Sequence, residues 1–244
     1  MELPVLDTNN QKVVINMDLY YAKPCNLRII GVDADNEKTV FFNRIANPDV
    51  PGTFNIDFPL PVSPKKLKVS MFLDGQQGDV IVKSMGSEFL NPVGVDCDHE
   101  DIEAIKFFRK FCERASFLPT GEYRAQGLKP YIVYSDYIID AEHGKLTTPA
   151  RVDHDSGEIQ ISREMFKTYT VPQRMVILTH EYSHWKYDNT DETFCDLNAL
   201  RICLGLGFPK SECIYTFTNI LNDDHESNNR LQHIVNYITN FKQY

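Results

Sequence analysis

Residues 176–209 read VILTHEYSHWKYDNTDETFCDLNALRICLGLGFP, and within them His180, Glu181 and His184 stand in the order His-Glu-x-x-His. Two histidines four apart project from one face of a helix. From that face both imidazoles can reach a single Zn2+ at about 2.0–2.1 Å. Glu181, beside the first of them, is placed to take a proton from a water at that metal, the general-base step of metal-assisted hydrolysis. Two side chains do not hold a catalytic zinc; a third protein ligand is needed, with water in the fourth position. The stretch TDETFCDLNAL supplies candidates, because Glu192 lies eight residues past His184 and Asp196 follows one helical turn later on the same face. Glu192 is the expected third ligand. Asp196 is expected to accept a hydrogen bond from the far nitrogen of a ligand histidine, which fixes the tautomer and raises the ligand's basicity. Asp191 and Asp196 are the rival third ligands. Cys195 points about 100° away from Asp196 around the helix and is expected in the core.

Each piece alone is weak. Two histidines on a helix are often partly buried polar residues, and acids near a helix start often only complement its dipole. The elements that position them strengthen the pattern. In TVPQ (170–173) Thr170 is the expected N-cap, with Gln173 three residues on and Pro172 in the first turn. The helix then runs on through Met175, Val176, Leu178 and Tyr182. Helical spacing predicts further helices at about 162–168, 191–205, 209–222 and 225–241. Before them, Ile102, Ile105, Phe108 and Cys112 in DIEAIKFFRKFCERA predict another helix, with acids in its first turn. KPYIVYSDYIID reads as a strand, and ARVDHDSGEIQIS as a hairpin turning at Ser156 and Gly157. Residues 94–244 therefore read as α+β. His99, His143 and His154 have no spacing that suggests a role, and Trp185 and Tyr187 read as core aromatics.

The first half has a different period. Over residues 1–93 apolar and polar residues alternate: Leu67, Val69, Met71 and Leu73 on one face against Lys68 and Ser70, with similar runs in VVINMDLYY, NLRIIGVDA and NIDFPL. Turn-forming segments separate them. Short alternating strands at this spacing predict an all-β, immunoglobulin-like sandwich that serves as an interaction or docking module. No histidine precedes His99. NPVGVDCD (91–98) reads as the linker between two domains.

The net charge is −9, which makes sequence-independent nucleic-acid binding a poor expectation because phosphates repel such a surface. The six cysteines include no C-x-x-C pair, and the composition predicts reduced thiols rather than a disulfide framework. The N-terminus lacks a basic region followed by an apolar one, and no apolar run approaches the ~18 residues needed to span a bilayer. Cytoplasmic synthesis without membrane insertion is the expectation.

On its His-Glu-x-x-His and following Glu-x-x-x-Asp, the second half resembles the zincin metallopeptidases of the gluzincin type. The resemblance implies a small twisted sheet over helices, with GEIQIS as the edge strand before the active-site helix. It also implies a peptide or protein substrate. A downstream histidine or tyrosine often stabilises the oxyanion in such enzymes; His225 and His233 are candidates by position, but a surface or core role is the expectation for each. The interval from His184 to Glu192 is shorter than gluzincins usually have. Thr190 stands where metzincins carry their third histidine, which excludes that subclass. More narrowly, HEYSH, DLNAL.I.LGLGFP and NNRLQHIV resemble metallopeptidase-domain proteins of crAss-like and related tailed phages over about residues 150–240. That resemblance implies a virion component docked to other virion proteins through its β-sandwich. It also implies an alternative to catalysis: a ring or tail subunit, a homo-oligomer that uses a zincin fold as scaffold.

Overall fold

In a computed structural model the described residues are 2–4, 12–60, 64–74, 79–90, 94–95, 97–221 and 227–242. The chain divides into two compact units, Met1–Pro92 and Val93–Tyr244. Part of the expected linker, 91–93 and 96, lies outside the described residues.

Unit 1 is built from strands β1 (Glu2–Pro4), β2 (Lys12–Tyr21), β3 (Asn26–Asp33), β4 (Val40–Ala46), β5 (Gly52–Leu60), β6 (Lys66–Asp74) and β7 (Val80–Leu90). They form two antiparallel sheets, β1-β6-β3-β4 and β5-β2-β7. Alternation explains the burial. Leu27 and Ile29 are buried on β3, while Arg28 between them is exposed. The sheets meet where Phe42 of β4 stacks on Phe58 of β5, ring centroids 4.0 Å apart. A Cβ at residue 31 would stand 2.3 Å from the Phe42 ring, so Gly31 is what admits that ring.

Two expectations for this unit are corrected. Immunoglobulin domains pair their strands as A-B-E-D and C-F-G. Here β2 lies beside β5 and β3 beside β6, as B beside E and C beside F, but β1 pairs with β6, β4 with β3 and β7 with β2. Period-two alternation marks which face of a strand is buried but not which strand lies beside it. On β6 the alternation also stops early: Leu67 and Val69 are buried, but Met71 is 40% exposed.

Unit 2 begins with α1 (His99–Arg114), followed by β8 (Gly121–Tyr123), β9 (Tyr131–Ser135), β10 (Ile139–Asp140), β11 (Gly144–Lys145), β12 (Ala150–Val152) and β13 (Glu158–Ser162). Helices α2 (Arg163–Phe166), α3 (Val171–Tyr187), α4 (Glu192–Gly205), α5 (Lys210–Asn219) and α6 (Ser227–Asn240) complete it. The main sheet is mixed, in the order β12-β13-β9-β8, with β13 parallel to β9 and both outer pairs antiparallel. The edge beside the central helix is therefore β12, ARV, and not GEIQIS, which forms the inner strand β13. The hairpin closes at Gly157, whose φ of 74° suits a residue without a Cβ.

Helix α3 is the centre of this unit. Thr170 caps it, its hydroxyl accepting from the Gln173 N–H while the Gln173 side chain accepts from the Thr170 N–H. Every residue from Val171 to His184 is buried. A helix that is surrounded in this way must satisfy its polar side chains internally. Arg174 does so without a carboxylate, donating to the carbonyls of Phe166, Cys112 and Lys167 and to the Ser116 hydroxyl. Helix α1 buries Asp101, Ala104, Phe108, Phe111 and Cys112 and packs on α3, with Phe108 against Tyr182, while Phe111 meets Tyr134 and Phe166. The buried stripe is thus one residue out of phase with the expected one at its start, and Ile102 is 42% exposed. The start of α1 holds the end of α3: Tyr182 Oη donates to Asp101, and Lys186 pairs with Asp98 and Glu100.

Among the described residues no helix is long and apolar enough to cross a membrane.

Candidate metal centre

His180 and His184 lie on consecutive turns of α3, and their Nε2 atoms face each other 3.1 Å apart. Glu192 at the start of α4 reaches both, with Oε2 3.3 Å from Nε2 of His180 and Oε1 3.3 Å from Nε2 of His184. Three side chains that could hold a metal ion, His180, His184 and Glu192, thereby converge on one point. The spacing fits a small divalent cation. Ligands about 2.0–2.1 Å from a tetrahedral ion are about 3.3 Å from each other. Two imidazole nitrogens and a carboxylate at that separation form a donor set that suits zinc.

The link between α3 and α4 explains how an eight-residue interval suffices. Asp188 ends α3 in the left-handed region, φ 44° and ψ 50°, and its N–H bonds back to the His184 and Trp185 carbonyls. The chain turns at once. The Asn189 carbonyl then accepts from Nδ1 of His184 at 2.7 Å, and the Asn189 side chain accepts from the Asp191 N–H. Asp191 caps α4 by accepting from the N–H groups of Thr193 and Phe194. That role places Asp191 outside the donor set, and Glu192, as the first helical residue, turns inward.

Asp196 stands one turn on, fully buried. Its Oδ1 is 2.9 Å from Nδ1 of His180, a bent contact outside the angular range of a good hydrogen bond. Both oxygens also accept from Arg230 of α6, Oδ2 from Nε and Oδ1 from Nη2 at 2.9 Å. The same Nη2 is 3.1 Å from Oε2 of Glu192. Asp196 therefore contacts a donor residue from behind. Cys195 is buried, its thiol near the Asn189 carbonyl and pushed up to about 12 mainly by that burial.

Burial by itself would lower His180, but its contacts with Asp196 and Glu192 and the nearby charge of Glu181 outweigh this and raise it from 6.5 to about 10. Glu192 is raised by its own partial burial and lowered more strongly by the two imidazoles, ending well below the usual carboxylate range. Glu181 is buried, and desolvation raises it despite the neighbouring histidines. The backbone N–H of Val152, on the edge strand β12, acts on it in the opposite sense to burial.

Four contributors were not visible in the sequence. Asn189 and Val152 act through backbone atoms, so their residue types carry no signal. Arg230 lies 34 positions from Asp196, beyond any helical period. His154 has its ring 6.0 Å from that of His184, edge to face, although nothing in its spacing marks it. Of the remaining histidines, His233 is exposed on α6 and His225 lies outside the described residues. Tyr187 is not core: it is 41% exposed and packs edge-on against Phe194.

No protein-family model, curated protein or solved structure matches the chain.

Proposed function

We propose that unit 2 is a zinc-dependent peptidase domain of the zincin class, with His180, His184 and Glu192 as its metal ligands. The observation that carries this reading is the convergence of those three side chains with Glu181 beside them. Zn2+, when bound, supplies the Lewis acidity that makes a water nucleophilic near neutral pH and polarises a carbonyl. Glu181 accepts the proton of the attacking water and returns it to the leaving amine. Its raised affinity for a proton suits both halves of that task. Asn189 orients His184, Asp196 with Arg230 backs His180, and the Val152 backbone lies near Glu181.

Glu181→Gln tests the reading, because it keeps the shape and removes the base. Zinc content and folding should persist while peptide hydrolysis falls by roughly 10²–10⁴. Equal hydrolysis by the two proteins would remove Glu181 from the mechanism.

A docking role for unit 1 is favoured by one row of its outer sheet. Phe72, Arg28 and Ile45 are cross-strand neighbours, and Phe72 and Ile45 are 56% and 71% exposed. In the virion reading this row contacts other virion proteins and the zincin unit is a scaffold. Particles carrying Glu181→Gln would then assemble and infect normally, whereas a required peptidase would fail.

A further inference from the structure

His154 is an imidazole beside the donor set with one nitrogen engaged and one free. It follows Val152, the last residue of the edge strand β12, by two positions, and Val152 lies near Glu181. Its ring stands edge to face with His184 at 6.0 Å. Nδ1 lies 3.2 Å from Oδ1 of Asp188, the residue whose left-handed backbone ends α3. The imidazole side chain is 31% exposed and the Asp188 carboxylate 91%, so the pair lies at the surface, with the ring beside His184. A carboxylate only accepts, so Nδ1 carries the hydrogen, and in the neutral ring Nε2 is then an acceptor. Among the described residues no group occupies Nε2. An acceptor at the rim of a peptide-cleaving site meets a substrate whose backbone offers N–H donors at every residue except proline.

Granted the peptidase reading, on which it rests, we infer that His154 is a substrate-binding residue. Its Nε2 takes a main-chain N–H of the bound polypeptide next to the metal, and Asp188 holds the ring in the tautomer that can do so. The residue is not a metal ligand.

The test uses the full chain loaded with zinc, and a parallel sample loaded with cobalt. The probes are a peptide hydroxamate, which carries backbone N–H groups beside its metal-binding head, and acetohydroxamate, which has the head alone. His154→Leu should weaken the peptide hydroxamate by about 3- to 10-fold, the worth of one neutral hydrogen bond. Acetohydroxamate affinity, zinc stoichiometry and the cobalt absorption spectrum should not change. His154→Gln, which keeps an acceptor, should recover part of the loss. Asp188→Gly, which tolerates the left-handed backbone but removes the carboxylate, should show a smaller loss of the same kind. Unchanged peptide hydroxamate binding in His154→Leu would overturn the inference alone. A changed cobalt spectrum or lost zinc in that variant would overturn it by making His154 a ligand. A wild-type chain that takes up no zinc would overturn the peptidase reading and this inference with it.

Discussion

Arg230 grips Asp196 with two parallel hydrogen bonds, Nε to Oδ2 and Nη2 to Oδ1, and so ties the last described helix to the back of the His180–His184–Glu192 cluster. Asp196 is fully buried and the Arg230 side chain is only 17% exposed. Removing one partner of a buried pair leaves the other charge uncompensated, at a cost of about 3–5 kcal/mol. Arg230→Gln should lower the stability of unit 2 by an amount in that range, measured by urea unfolding. A loss below about 1 kcal/mol would show that His180 alone compensates Asp196.

Glu192 and Asp196 both approach His180, from opposite nitrogens, and their substitutions should separate. Glu192→Ala removes a donor and should abolish most zinc binding, read as metal content after gel filtration. Asp196→Asn keeps the shape and weakens only the support behind His180, so affinity should fall by about 10- to 100-fold. The reverse pattern would exchange the two roles.

Stability should depend on pH in a way set by the same cluster. With metal stripped, His180 is raised from 6.5 to about 10. A raised folded-state value means that its contribution is complete below pH 6.5 and is lost as pH rises toward about 10. Glu192 is lowered from 4.5, so its contribution is present above pH 4.5 and is lost in acid. Glu181 is raised by burial, so its contribution is present in acid and is lost as pH climbs above its ordinary 4.5. The metal-stripped protein should therefore be most stable between the two ordinary values, in mildly acidic solution. Zinc must displace the His180 proton, so zinc affinity should rise with pH. Melting curves with and without zinc would check both. A metal-stripped melting temperature that does not fall between about pH 7 and about pH 9 would contradict the charge balance.

The helices of unit 2 were legible because each carries its own local signals. Thr170 with Gln173 marks the start of α3, and the spacing of His180 from His184 survives folding unchanged. Glu192 was legible because it opens the next helix. What sequence could not supply was contact between distant segments. The Arg230–Asp196 pair joins residues 34 apart, and the order of the strands in unit 1 depends on loops rather than on alternation. Edge and inner strands are likewise indistinguishable by pattern, so nothing in the sequence corrects the resemblance, which implies GEIQIS at the edge where ARV stands. The left-handed turn at Asp188 left a faint signal, since Asp and Asn favour that conformation at helix ends. That turn is what makes the short interval to Glu192 workable.

All the donor and supporting residues belong to unit 2, which spans Val93–Tyr244. His180, Glu181 and His184 come from α3, Glu192 and Asp196 from α4, Arg230 from α6, and the nearby backbone groups from Asn189 and Val152. The interior of the unit is also self-contained: Arg174 satisfies its guanidinium on α1 and α2 neighbours, and α1 is fastened to α3 through Tyr182 and Lys186. A fragment of residues 95–244 should therefore fold cooperatively and bind one zinc with the affinity of the full chain. Arg174→Leu in that fragment supplies an internal control. It removes the guanidinium from the Cys112 and Lys167 carbonyls, the Ser116 hydroxyl and the Phe166 carbonyl, of which the last keeps the Tyr169 N–H. Each stranded acceptor costs about 1–3 kcal/mol, enough to unfold a domain of ordinary stability. Loss of the far-ultraviolet signal and of zinc together is expected in the control, and neither in the parent fragment. A fragment that folds but does not bind zinc would mean that residues 1–94 contribute to the metal centre.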